Sequence, residues 1–153
     1  MKFDKNKLMQ FLATLLMSVF ILAGISRADA ADDEPKMQLS ARPLSGTYLQ
    51  NGTVIGHGTV SYSGAHSGFE VWLDAPQNGG RPGHYVIRGK HNASHLLHIR
   101  LEQEGWTTEE GSGKGIVTKT RENKVAFDIV ADGSQDVLPD QYIMQARTGV
   151  IFP

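Results

Sequence analysis

The sequence predicts an all-β sandwich, and three observations carry that prediction. From Ala31 onward no stretch keeps a helical spacing of apolar residues. The apolar residues fall instead in short alternating or β-branched runs. Gly, Pro, Asn and Asp separate those runs at intervals typical of two-sheet sandwiches. There is no internal repeat.

Taken in order, Met37–Ala41 is the first predicted strand. In "TYLQNGTVIGHGTVSY" the Asn51-Gly52 pair signals a turn between two strand-like pieces. Thr53–Tyr62 is the second strand, weakened or bulged at Gly56 and Gly58. Gly68–Asp74 alternates Phe69, Val71 and Leu73 inward against Glu70, Trp72 and Asp74 outward. Pro76–Gly83 is a loop by composition, and His84–Gly89 and His95–Gln103 follow as strands. Glu109–Gly115 reads as a flexible linker, and Ile116–Thr118 as a short strand. Lys124–Ala131 places Val125, Phe127 and Ile129 on one face, and the last strand runs from Gln141 to Phe152.

Residues 1–30 read as a secretory signal. Lys2, Lys5 and Lys7 give a positive start, Leu8 to Ile25 is largely apolar, and Ala28-Asp29-Ala30 supplies the small residues of a cleavage site. A membrane anchor is the alternative, since the run is near spanning length, but the Ala-x-Ala site directly after it favours the signal. Residues 31–153 are then one domain. They hold 11 basic and 14 acidic side chains, a net charge of −3, which does not suit nucleic acid. No polybasic patch points to a membrane surface. The chain has no cysteine, which excludes thiol catalysis, cysteine-ligated zinc and blue copper.

Few residues suggest chemistry. "HNASHLLH" spaces histidines by four and three, but on a strand His95 and His98 fall on opposite faces, so no metal or other cofactor is expected. No nucleophile elbow, zinc-protease motif or phosphate loop occurs, and no catalytic residue is expected. "GSGKG" at Gly111–Gly115 lacks the spacing of a phosphate cradle. The two glycosylation-like triplets, at Asn51 and Asn92, are read as chance. Trp72 lies on the polar parity of its strand, where it could contact a receptor or cover the second sheet. Trp106 could lie under the following loop.

In "DGSQDVLPDQY" an acidic loop and a Pro precede Tyr142 at a strand start, which suits either a tyrosine corner or an ordinary core Tyr. In an immunoglobulin-type Greek-key sandwich the strand after that corner is the sixth, F, and a seventh, G, should follow. The alternation puts Tyr142, Met144, Ala146, Thr148, Val150 and Phe152 on the core side of this strand. Three outcomes are open: pairing with the N-terminal segment, a plain edge, or completion by a strand of another chain.

The pieces "SGTYLQNGTVIGHG", "AHSGFEVWLD", "HYVIRGK", "GWTTEEGSGKG", "VAFDIVADGSQD" and "PDQY" together resemble the AfaD/DraD family of invasin-like tip subunits of chaperone–usher fimbriae. The resemblance runs from about Met37 to Pro153. It implies an incomplete immunoglobulin-like fold lacking its G strand and completed by a donor strand. The core-side residues of the last strand then line the acceptor groove. It also implies a periplasmic chaperone, an outer-membrane usher, an adjacent subunit that donates the strand, and a host cell-surface receptor. "ADDEPK" (Ala31–Lys36) is short, acidic and without alternating apolar residues, so it suits a subunit that accepts but does not donate, at the fibre tip. Met37–Ala41 as a donor has too few large apolar residues to fill a groove. The family usually carries two cysteines, and their counterparts here are Tyr62 and Gly149. A tip adhesin or invasin exported to the cell surface is the leading expectation. A non-adhesive cap that initiates assembly is the alternative, and a periplasmic enzyme or metal-binding sandwich is a third.

Overall fold

The computed structural model describes residues 3–14, 20–22, 34–42, 44, 46–109 and 113–153, the first two segments by their backbone alone. The strands are β1 (Phe3–Thr14), β2 (Phe20–Leu22), β3 (Lys36–Ala41), β4 (Tyr48–Leu49), β5 (Val54–Ser61), β6 (Gly68–Leu73), β7 (His84–Arg88), β8 (Leu96–Glu102), β9 (Thr107–Thr108), β10 (Ile116–Lys119), β11 (Lys124–Ala131), β12 (Gln135–Asp136) and β13 (Gln141–Ile151). One sheet has the order β2-β1-β13-β6-β10-β9, the second β3-β5-β11-β8-β7, and β12-β4 forms a short ribbon. The fold is all-β and immunoglobulin-like, as the residue pattern predicts, and the eight strands expected from Met37 onward are present as β3, β5, β6, β7, β8, β10, β11 and β13.

The core fills from alternate positions of both sheets. Phe69 and Val71 of β6 meet Tyr85, Ile99, Phe127 and Ile129 of the facing sheet, all fully buried. Branched and aromatic side chains suit this pleated, two-sided packing. Gly58 is required by close approach, because a Cβ there would lie 2.2 Å from the Phe127 ring. The bulge expected in β5 occurs near Gly56, where the β5–β11 register shifts between Ile129 and Val130.

The expected Asn51-Gly52 turn is present between β4 and β5, with Gly52 at φ +85°, and the two strands it joins pair elsewhere. The piece before it, β4, pairs with β12, and β5 pairs with β3 and β11. A dipeptide fixes a turn but not which strands meet across it. Two expectations need correction, the polar outer face of β6 and the Glu109–Gly115 linker. β6 does not have a polar outer face: all six of its residues are buried, Glu70 and Trp72 included. The Glu109–Gly115 segment is more than a linker at its described end. The Tyr85 hydroxyl donates to the Lys114 carbonyl (2.5 Å), and the Lys114 ammonium stands 5.8 Å over the Trp72 ring. Trp106 packs edge-on against Phe127 and donates from Nε1 to the Ala126 carbonyl (2.9 Å), which ties it to β11.

The last strand has a neighbour on each side. The place beside β13 is taken by the chain's own N-terminal segment, because β1 pairs with it antiparallel from Phe3↔Ile151 to Thr14↔Gln141. This is the first of the three outcomes the sequence left open. The cleavage-site residues Ala28–Ala30 and the following Ala31–Asp33 lie outside the described residues.

Candidate functional site

The site is the long slot along β13. On the core side Tyr142, Met144, Ala146, Thr148 and Val150 are all buried. The one polar member, Thr148, is satisfied, since its hydroxyl donates to the Glu70 carbonyl (2.9 Å). Phe152 lies beyond the strand, half-buried, with its ring edge-on to Tyr62 at 6.1 Å. The core-side residues expected from alternation are therefore buried from Tyr142 to Val150, with Phe152 only half-buried beyond the strand.

β13 is held differently on its two sides. Toward β6, Ala146–Ile151 pairs with Leu73–Gly68 in unbroken register. Toward β1 the ladder runs the whole strand, with a shift between Asp4 and Lys7. The register positions opposite Tyr142, Met144, Ala146, Thr148 and Val150 are Ala13, Phe11, Met9, Lys7 and Asp4. Three are apolar and two are charged. A strand suited to this slot would be apolar at all five, since the opposed β13 residues are buried.

Both ends of the slot are fastened. At the Gln141 end Tyr142 forms the tyrosine corner, its hydroxyl donating to the Leu138 carbonyl (2.5 Å), and burial raises this phenol to about 12. Next to it the Asp140 carboxylate, about 1% exposed, accepts from the backbone N–H of His91 (3.0 Å), Asn92 (3.1 Å) and Gln141 (2.7 Å) and lies 3.0 Å from His95 Nδ1. Burial pushes its pKa up, but these hydrogen bonds outweigh burial and hold it at about 2. Asp140 thereby ties the turn after β7 to the start of β13, and Gly89 bridges to Tyr142. At the other end the Ile151 carbonyl accepts from the Ser67 backbone N–H (2.7 Å) and hydroxyl (3.2 Å), beside rings of Tyr62, His66 and Phe69.

Trp72 is 4% exposed, so its ring offers almost no free surface while Lys114 covers it. Tyr62, one expected cysteine counterpart, is in the aromatic cluster, and Gly149, the other, is buried in β13 opposite Glu70. His95 and His98 do not converge: His95 meets Asp140, while the His98 backbone is bound by the Gln135 side chain. Among the described residues no three His, Cys, Asp or Glu side chains are grouped as metal ligands. The Asp140 clasp was missed by sequence reasoning. Its partners on the other side of the turn, His91, Asn92 and His95, lie 45 to 49 residues away, and "PDQY" carries no signal of them.

A family model described as "Enterobacteria AfaD invasin protein" matches residues 44–148. The Escherichia coli protein AfaD is 33% identical over 138 residues, covering 90% of this chain and 89% of AfaD. AggB, also from Escherichia coli, is 29% identical over 126 residues, 82% of each chain. Among solved structures, the Escherichia coli Hda pilus minor tip subunit HdaB superposes with a TM-score of 0.74 at 28% identity, covering 78% of this chain and 84% of HdaB.

Proposed function

The chain belongs to the Enterobacteria AfaD invasin family, and on that footing we propose that residues 31–153 form a fimbrial tip subunit that accepts a strand from a neighbouring subunit and presents the fibre to host cells. The carrying observation is that β13 pairs along its whole length with a segment that reads as a removable export signal. Cleavage after Ala30 takes β1 away. It leaves the backbone groups of Gln141–Ile151 unpaired on that side and the row from Tyr142 to Val150 open to solvent. Such an edge aggregates unless another strand covers it. A periplasmic chaperone strand fills it first. The donor strand of an adjacent subunit then replaces that strand at an outer-membrane usher, by β-augmentation.

The tip position rests on Ala31–Lys36, whose acidic, non-alternating sequence makes a poor donor. Attachment to a host cell-surface receptor is supported by the membership of an invasin family. The adhesive surface is not centred on Trp72, which is buried.

The test is to express residues 31–153 alone and with an alternating apolar strand fused after Pro153 through a short linker. The fused form is expected to be a stable monomer that binds cultured epithelial cells, and the unfused form to aggregate or be degraded. Equal stability of the two would defeat the acceptor reading. A stable fused domain without cell binding would leave the cap role in place of the adhesin role.

A further inference from the structure

The slot has a direction, and one end of the sandwich is unusually apolar. β1 runs antiparallel to β13, so its C-terminal residue Thr14 stands opposite Gln141. Any donor strand seated in this register leaves the slot at the Gln141 end, and the body of the donor subunit follows its donor strand there. Among the described residues the exposed large hydrophobics are Tyr48 (60%), Leu138 (54%) and Leu96 (38%). All three belong to that end. Leu138 gives the carbonyl of the tyrosine corner. Tyr48 is paired with Asp136, two residues before Leu138 in the chain. Leu96 pairs with Arg88 at the mouth of the turn that Asp140 clasps.

We propose that Tyr48, Leu96 and Leu138 form a second docking surface, for the globular body of the subunit whose donor strand fills the slot. The inference rests on the acceptor reading and extends it from strand to body. A patch of three side chains is too small to hold a free partner. Once the donor strand is seated, the contact is intramolecular, and effective concentrations near millimolar make a weak patch sufficient. It fixes the angle between the last two subunits. The clasp of Asp140 and the Tyr142 hydrogen bond keep the platform rigid under it. The opposite end is unlike it: an open pocket of about 380 Å³ lies there, with Ala65, His66 and Arg121 in its lining.

The chain has no cysteine, so a single introduced thiol is a unique label. Leu138→Cys, Tyr48→Cys and, at the other end, Ala65→Cys would each be expressed as full chains with the fimbrial assembly machinery. Each would be labelled with benzophenone maleimide and irradiated in isolated fibres. Labels at 138 and 48 are expected to give an adduct with one adjacent fimbrial subunit, mapped by tryptic peptides to its globular body, at least fivefold above the label at 65. Equal yields, or adducts from 65 alone, would overturn the docking surface. So would an adduct from 138 to a second copy of this chain or, after incubation with host cells, to a host protein. If the labelled chains are absent from fibres and accumulate as folded monomers, the acceptor reading itself falls and the docking surface with it.

Discussion

The two neighbours of β13 show two kinds of strand pairing. β6 meets only half of the strand, Ala146–Ile151, yet its register is unbroken, its residues are all buried, and the Thr148 hydroxyl is matched to the Glu70 carbonyl. β1 meets the whole strand, yet its register shifts, and Lys7 and Asp4 stand opposite two buried positions. The longer ladder is the less selective. Backbone hydrogen bonds are the same for every sequence, so length gives an edge strength without choosing its partner. Side-chain fit makes the choice, and on this side two of the five opposed register positions hold charged residues. On the proposed reading, the β6 side is a fixed part of the sandwich, and the β1 side is the seat for a donor strand.

The largest effect should come from a charge placed on the seat. Met144→Asp or Val150→Asp puts a carboxylate where no cation or donor awaits it, at a cost on the order of 3–5 kcal/mol, much of a domain's stability. Both variants should be missing from fibres and degraded in the periplasm, as immunoblots of periplasm and shed fibres would record. Normal incorporation of either would remove that residue from the groove. A change on the β6 side should differ in kind. Phe69→Ala costs about 3–5 kcal/mol as a cavity in the core. In the donor-fused domain this loss should persist however well the fused strand fits. If a better-fitting donor strand restored the original melting temperature, the two sides of β13 would not be distinct.

The domain strands were legible because their apolar alternation and their Gly/Pro/Asn punctuation are local properties. Residues from Met37 to Ile151 gave their own positions in this way, and Tyr142 its corner. The short β4 and β12 were not legible, since two residues carry no period and their pairing depends on a contact 88 residues away, Tyr48 with Asp136. Nor was the burial of Trp72, which follows from Lys114 returning over it from another loop. The slot was half legible. Alternation named its wall from Tyr142 to Val150, but nothing local says which strand fills it. The apolar run near the N terminus reads as an export signal by composition, and the same composition is compatible with a strand once an open edge is available.

The clasp at the Gln141 end allows a finer test, one of pH. Asp140 is held at about 2 in the fold, below the 3.8 of a free aspartate. A depressed carboxyl pKa contributes stability that is present above pH 3.8 and lost as pH falls toward 2. Urea denaturation of the donor-fused domain across that interval should therefore show a falling stability. Asp140→Asn should flatten the fall and lower stability at neutral pH, because the amide is a poorer acceptor for the His91, Asn92 and Gln141 N–H groups. An unchanged acid limb would show that the carboxylate does not hold the turn.

The smallest effect is expected at the corner itself. Tyr142→Phe keeps the ring in the core and removes only the hydrogen bond to the Leu138 carbonyl. The expected loss is about 1 kcal/mol, or a few degrees in melting temperature, with the fold and the slot unchanged. The alkaline limb gives the signature. Burial raises this phenol from 10.0 to about 12, so the unfolded chain ionises first. Its contribution is complete below pH 10 and is lost as pH rises toward 12, and Phe at this position should remove that part of the slope while Tyr85, also raised by burial, keeps its own. Because the corner stands at the end where the proposed donor strand would leave the slot, the same variant separates the two sides of β13 once more. It should speed exchange of a donor peptide on the open side while leaving protection of the β6 amides at their wild-type level in hydrogen exchange. Equal loss of protection on both sides would mean that the corner holds the sandwich as a whole and not the seat.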